Sequence, residues 1–219
     1  MLKLGVISDT HWSSLAQASA GAHKLIHGVF VNVDAIIHAG DMLHPEIDLA
    51  FAPYKFYAVR GNMDAAGAHT PLKRILTFDG IRIGVIHGWG GGAEIEANAA
   101  REFDLEKIDL LIYGHSHYPA CHVEDRVLFL NPGSAAERRR APYHSVGLIR
   151  ICAVDPVADA GNGDHFAERD NKKYEIGSTE QGETWPVEAR QVLQCGAQQQ
   201  VIAEIINIDA FAESIDLNG

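Results

Sequence analysis

The sequence predicts an α/β fold with both parallel and antiparallel strand pairing, and three features carry that expectation. Short runs rich in Val and Ile recur at Lys3–Ile7, Ala35–His38, Phe56–Val59, Ile81–Ile86 and Leu110–Tyr113, with the length and composition of buried strands. Helical spacing intervenes: Leu15 to Phe30 carries Leu15, Ala18, Ala22, Leu25, Ile26 and Val29 on one stripe, and Glu94 to Phe103 is rich in Ala and Glu. Asp79-Gly80 separates Leu76–Phe78 from Ile81–Ile86 as a hairpin signal. Strand–helix–strand units demand parallel pairing and a hairpin demands antiparallel pairing, so a mixed sheet follows.

Beyond these elements, His122–Leu130 and Val146–Val154 read as a further strand pair joined by the turn Asn131-Pro132-Gly133-Ser134. The character changes near Asp155. Asp155 to Gly182 is polar and charged, and Gln200 to Ile208 offers one more apolar strand. The expected organisation is a core over residues 1–154, with residues 155–219 as a polar excursion and terminal strand of the same domain. A chain of 219 residues with 47% apolar composition has ample material for one hydrophobic core.

Charge narrows the partners. Eighteen Lys and Arg stand against 29 Asp and Glu, a net charge of −11, so an extended nucleic acid backbone would be repelled. No apolar run approaches the ~20 residues of a membrane helix. Cys121, Cys152 and Cys195 form no CxxC pair, which fits reduced thiols and a cytoplasmic setting. A homo-oligomer is compatible with all of this. Twelve histidines are the more pointed signal, because imidazole is the commonest metal ligand and the usual acid or base near neutrality. His23, His27, His38, His122, His144 and His165 read as ordinary surface or core residues.

The remaining histidines keep company with carboxylates at strand ends. Lys3–Ile7 leads to Asp9-Thr10-His11, Ala35–His38 to Gly40-Asp41, and Phe56–Val59 to Gly61-Asn62-Met63-Asp64. Ile81–Ile86 leads to His87-Gly88, and Leu110–Tyr113 to Gly114-His115-Ser116-His117. Ligands of open α/β sheets bind where the carboxyl ends of strands converge, so these residues are expected to meet. A single DxH or HxH pair says little, but five such elements in one position of the fold are hard to produce by accident. Carboxylate, imidazole and amide oxygen together suit Mn, Fe, Ni, Co or Zn. Asp41 is the natural carboxylate to lie between two ions, and two ions ~3.5–4 Å apart activate water and neutralise phosphoryl oxygens. Gly40, Gly61, Gly88 and Gly114 allow tight turns and close approach beside those residues.

In their order, DTH, GD, GNMD, HG and GHSH resemble the five motifs of the calcineurin-like metallophosphoesterases, and NPGS resembles a further motif of their small bacterial and archaeal phosphodiesterases. The resemblance covers roughly Leu2 to Ile151. It implies a two-sheet β-sandwich flanked by helices and a phosphodiesterase that uses two divalent ions to hydrolyse a small phosphate ester with metal-activated hydroxide. Carried over, Asp9, His11, Asp41 and His117 would hold one ion, and Asp41, Asn62, His87 and His115 the other. Asp41, Asn62, His87 and Asp64 would be the catalytic set. Asn62 would also touch the substrate phosphate, and Asp64 would orient a histidine such as His11, with a simple turn cap as the alternative.

Departures from the pattern point to further contacts. Met63 stands where many members have a histidine or cysteine, and Trp89 stands where small members often have a histidine. Trp12 and Trp89 are expected at the mouth of the site, stacking on an aromatic group, with simple packing as the alternative. Arg60 is expected either at a phosphate or paired with an acid. Arg138-Arg139-Arg140 reads as a solvated run. The rivals to a phosphodiesterase are a phosphomonoesterase or nucleotidase at the same site, and a non-catalytic scaffold such as the retromer subunit of this fold. The retromer subunit has degraded metal positions, whereas all seven donor positions are filled in this chain.

Overall fold

Val and Ile alternate across the pleat, and in the computed structural model this alternation builds two sheets face to face. The structure describes residues 1–65, 70–153, 177–178, 184–196 and 199–209. The N-terminal half gives β1 (Leu2–Ile7), α1 (Leu15–Ile26), β2 (Ala35–His38), α2 (Ile47–Ala50), β3 (Lys55–Ala58), β4 (Lys73–Phe78), β5 (Ile81–Ile86) and α3 (Glu94–Arg101). Then come β6 (Leu110–Ile112), β7 (Ala120–Glu124), β8 (Val127–Asn131), β9 (Ser145–Ala153), β10 (Gly177–Ser178), β11 (Thr184–Trp185), β12 (Val187–Cys195) and β13 (Gln199–Asn207). One sheet has the order β12-β13-β9-β1-β2-β3 and the facing sheet β4-β5-β6-β8-β7, with β10-β11 a separate pair. This is the expected two-sheet α/β sandwich.

Each sheet has a parallel run, β1-β2-β3 ending at the edge of one and β5-β6-β8 in the middle of the other. Inward residues such as Leu4, Val6, Ile37, Ile83, Val85, Ile112 and Leu130 form the core between the sheets. The opposite face of the first sheet buries Ile36 under α1, whose Ala18, Ala22 and Leu25 share one stripe. Ser14 caps that helix by accepting the Gln17 amide. Leu111 and Phe129 on the far side of the second sheet pack beneath Ile95 and Ala99 of α3. The parallel runs aim the carboxyl ends of β1, β2, β3, β5 and β6 toward one edge of the sandwich.

Several boundaries differ from the sequence reading. α1 stops at Ile26, four residues short of Phe30, and α3 stops at Arg101. His122–Leu130 is not one strand: β7 and β8 form a hairpin about Asp125-Arg126, both with left-handed φ (46° and 67°). A turn of that hand is usually signalled by glycine, and neither residue is one. Nor does that segment pair with Val146–Val154. β8 lies between β6 and β7, whereas β9 pairs with β1 and β13 in the other sheet. Asn131–Ser134 is therefore a crossover between sheets, not a hairpin turn. β13 covers the expected terminal strand, and β12, an edge strand of mixed polar and apolar alternation, was not anticipated. Most of the polar stretch 155–182 lies outside the described residues, as does His165.

Candidate metal centre

Five loops at one end of the sandwich bring the strand-end residues together through unusual backbone. Asp9, His11, Asp41, His115 and His117 all adopt positive φ, between 49° and 68°. For non-glycine residues this conformation costs roughly 1–2 kcal/mol each. Such cost persists only where the surroundings fix it, and here it turns five polar side chains inward together. Close approach matters equally. A Cβ on Gly61 would lie 2.1 Å from Asp41 Oδ1, and one on Gly114 would lie 2.0 Å from Ser8 Oγ.

Two groups of donor atoms result: Asp9, His11 and His117, and Asp9, Asp41 and His87, with the atoms of each within 4.8 Å of one another. Asp41 Oδ2 lies 3.3 Å from His87 Nε2 and 3.6 Å from His11 Nε2, so it too stands between the groups. Asp9 Oδ1 lies 3.3 Å from His117 Nε2. Asn62 Oδ1 approaches His87 Nε2 at 3.1 Å and His115 Nδ1 at 3.0 Å, while those two nitrogens are 3.3 Å apart.

Hydrogen bonds to backbone carbonyls set the tautomers. His87 Nδ1 faces Ala39 O at 2.7 Å, His115 Nε2 faces Gly90 O at 3.1 Å, and His117 Nδ1 bonds Glu137 O. A carbonyl only accepts, so each of those nitrogens carries the proton and leaves the other as a bare lone pair. His87 Nε2, His115 Nδ1 and Asn62 Oδ1 are then three acceptors aimed at one another. Asp9 Oδ1, His11 Nε2 and His117 Nε2 are buried without any hydrogen-bond partner. Acceptors that face one another in a buried site favour a cation or an added proton, and the donor set fits divalent metal. Protonation of His87 partly answers the same need. Burial alone would lower its pKa, but the Asp41 and Asp9 carboxylates raise it above the usual imidazole range. Burial also holds the fully enclosed Asp9 above the ordinary carboxylate range.

The calcineurin-like phosphoesterase superfamily domain matches residues 2–153. The chain belongs to that superfamily. It is 40% identical over 154 residues to a probable metallophosphoesterase of Methanocaldococcus jannaschii, covering 68% of this chain and 75% of that protein. A probable metallophosphoesterase of Methanothermobacter thermautotrophicus is 36% identical over 155 residues, covering 68% and 85%. Among solved structures, an archaeal phosphodiesterase superposes with a TM-score of 0.54 at 22% identity, covering 68% and 93%. Vps29 of Chaetomium thermophilum superposes with a TM-score of 0.55 at 21% identity, covering 68% and 80%. At these identities the two structures speak for the fold.

Within this calcineurin-like domain, Asp64 follows the turn-cap alternative. Its carboxylate accepts four backbone amides, from Asp41 (3.0 Å), Met42 (2.7 Å), Leu43 (2.9 Å) and Gly61 (2.7 Å), and it is not bonded to His11. Asp41 Oδ1 in turn accepts the Met63 amide at 2.8 Å. The two loops thus clasp each other, carboxylate to backbone. Hydrogen bonds to charged groups contribute about 1.5–3 kcal/mol each and are not additive. Asp64→Ala is expected to destabilise the fold by about 3–5 kcal/mol and to lower the melting temperature by roughly 10 °C. A melting curve within about 1 °C of the unaltered protein would remove Asp64 as the clasp.

The tryptophans divide. Trp12 is only 8% exposed; its indole packs against Phe51 and lies under Gly21, where any Cβ would strike it at 2.1 Å. It packs beneath α1, as the packing alternative has it, and it also lines the groove beside His11 together with Thr10 and Gln17. Trp89 is 45% exposed in the loop after His87, where its carbonyl accepts Asn98 Nδ2. Arg60 is half-buried beside the Gly61–Asp64 loop, and its guanidinium forms no ion pair among the described residues. Arg138, Arg139 and Arg140 are exposed.

Two residues went unrecognised in the sequence. His38 is wholly buried; its Nδ1 accepts the Gly40 amide (3.1 Å), so Nε2–H donates to Thr10 Oγ1 (2.9 Å). Burial, with His87 nearby, pushes its pKa down to about 3, and as a neutral strut it ties the β1 loop to the β2 loop. Its position as the last residue of an apolar strand was the available signal. Glu137 meets both His11 and His117 from beyond the crossover, and no motif marks it.

Proposed function

We propose that this superfamily member is a phosphodiesterase that hydrolyses a small phosphate ester with two divalent ions. Asp9, His11, Asp41 and His117 hold one ion; Asp41, Asn62, His87 and His115 hold the other. The observation that supports the reading is the convergence of the seven donor side chains, among which Asp9 Oδ1, His11 Nε2 and His117 Nε2 are buried without a hydrogen-bond partner. Two such ions supply an activated water and neutralise charge on the phosphoryl oxygens. Mn, Fe, Ni, Co and Zn all suit the donors.

The chain's own residues do the rest. Asn62, exposed at the rim, is placed to donate its amide N–H to a phosphoryl oxygen while its oxygen faces the histidines. Arg60 and Trp89 are near enough in sequence to that rim to contact the ester. A groove of about 540 Å³ beside His11, bounded by Gln17, Lys24, Ala136 and Glu137, has room for a small organic group. A cavity of about 580 Å³ at the opposite, hairpin end of the second sheet contains none of the donors, so it is not the catalytic site. No helix among the described residues is long and apolar enough to cross a membrane, and the net charge of −11 disfavours extended nucleic acid.

The test is turnover of the metal-loaded protein on a panel of diesters, monoesters and cyclic nucleotides, with each metal in turn. Aryl diesters are expected to be cleaved fastest. His87→Ala and His117→Ala are each expected to reduce turnover at least about 10²-fold with a near-native circular dichroism spectrum. Preference for monoesters would favour the phosphomonoesterase reading. No turnover with any metal would favour a binding scaffold, the role left open by the fold shared with Vps29.

A further inference from the structure

We propose that Glu137 is a positioning residue for the ion held by Asp9, His11 and His117, a proposal that rests on the two-ion reading above. Three candidate ligands are steadied alike: His87, His115 and His117 each give their second ring nitrogen to a backbone carbonyl, those of Ala39, Gly90 and Glu137. His11 has no such carbonyl among the described residues. Its Nδ1 instead faces a carboxylate, Glu137 Oε2, at 3.4 Å, while its Nε2 is buried and unpartnered 3.6 Å from Asp41 Oδ2. Glu137 therefore addresses two histidines of one ion at once, His117 through its main chain and His11 through its side chain.

The crossover between the sheets explains how this residue arrives there. Ser134 Oγ donates to Asp9 O at 2.7 Å and accepts the amides of Ala136 (3.2 Å) and Glu137 (2.8 Å). The turn after β8 is thereby stapled to the backbone of Asp9, itself a donor to the same ion. Arg139 Nε, 3.9 Å from Glu137 Oε1, draws the carboxylate from its other side. A carboxylate that accepts Nδ1–H fixes the imidazole tautomer and makes the opposite nitrogen a stronger base toward metal. At 3.4 Å the Glu137 carboxylate is in ion-pair range of His11, where it would supply to that ring what the backbone carbonyls supply to the other three.

Substitution separates the two contacts, because the carbonyl to His117 survives any side-chain change. Full-length protein stripped of metal is titrated calorimetrically with Mn²⁺ alone, and its melting temperature is measured in the same stripped state. In Glu137→Ala one of the two affinities is expected to fall about 10–100-fold. The other should stay within about threefold, with melting within roughly 2 °C of the unaltered protein. Glu137→Gln keeps an acceptor without the charge and is expected to recover part of the loss. An unchanged Glu137→Ala isotherm would overturn the proposal. So would both affinities falling together with a lowered melting temperature, which marks a loop scaffold only. If the unaltered protein binds no Mn²⁺, the two-ion reading falls and this proposal with it; two-site binding indifferent to Glu137 overturns this proposal alone.

Discussion

Asp41→Ala is expected to lose at least one of two bound ions and about 10³-fold or more in turnover. The carboxylate lies 3.3 Å from His87 and 3.6 Å from His11, between the two donor groups. Charge stabilisation by a metal pair amounts to several kcal/mol, and each ~1.4 kcal/mol is a factor of ten in rate. Asp41 Oδ1 also accepts the Met63 amide, so alanine would loosen the loop as well. Asp41→Asn keeps the shape and that acceptor while removing the charge, and it should show the same metal loss with little change in fold. Titration of stripped protein followed by elemental analysis gives the stoichiometry, and bis(p-nitrophenyl) phosphate gives the rate. Two tightly held ions and near-native turnover in both variants would dismiss Asp41 as the shared ligand.

The second large effect concerns the proton that a leaving alkoxide needs. Met63 follows Asn62 where many superfamily members carry histidine, and its side chain is 53% exposed at the edge of the site. A thioether donates no proton. General acid assistance is worth ~10²–10⁴-fold, so its absence penalises poor leaving groups most. Aryl diesters should be hydrolysed well and simple alkyl monoesters weakly, with the rate rising steeply as the leaving group becomes more acidic. Met63→His should flatten that dependence. His44, in the loop after Asp41, is one candidate substitute donor; it is half-buried, with Nδ1 accepting the Glu46 amide at 3.3 Å, which leaves Nε2–H available. His69, the other loop histidine, lies outside the described residues. A shallow slope in the unaltered protein that survives both His44→Ala and His69→Ala would end the idea that acid catalysis is missing.

Much of the site was legible because its logic is local. A buried strand announces itself by Val and Ile, its end by glycine, and the next residue by a side chain that has no place in a core. Asp41, Asn62 and His115 follow that rule, His87 sits directly at its strand end before Gly88, and Asp9 comes two residues after Ile7, so their convergence could be read from five separate pieces of chain. The two sheets were less legible. Parallel pairing followed from strand–helix–strand spacing, but which sheet β8 and β9 would join depended on a hairpin at Asp125-Arg126 that carries no glycine.

What the sequence by itself determined was the kind of chemistry: a mixed α/β core and a set of oxygen and nitrogen donors at the ends of its strands. Only the tertiary structure decided how those donors are held, because the contacts that hold them join residues with no common pattern. Asp64 clasps amides more than twenty positions away, and Glu137 reaches back to His11 across the crossover. Trp12 was placed in the core by the space that Gly21 leaves under α1. Left-handed φ at Asp9, His11, Asp41, His115 and His117 was equally invisible, since none of these residues favours it alone. Side-chain type is a local property of the chain, whereas orientation and hydrogen-bond partnership belong to whichever loops the packed sheets bring within 3 or 4 Å.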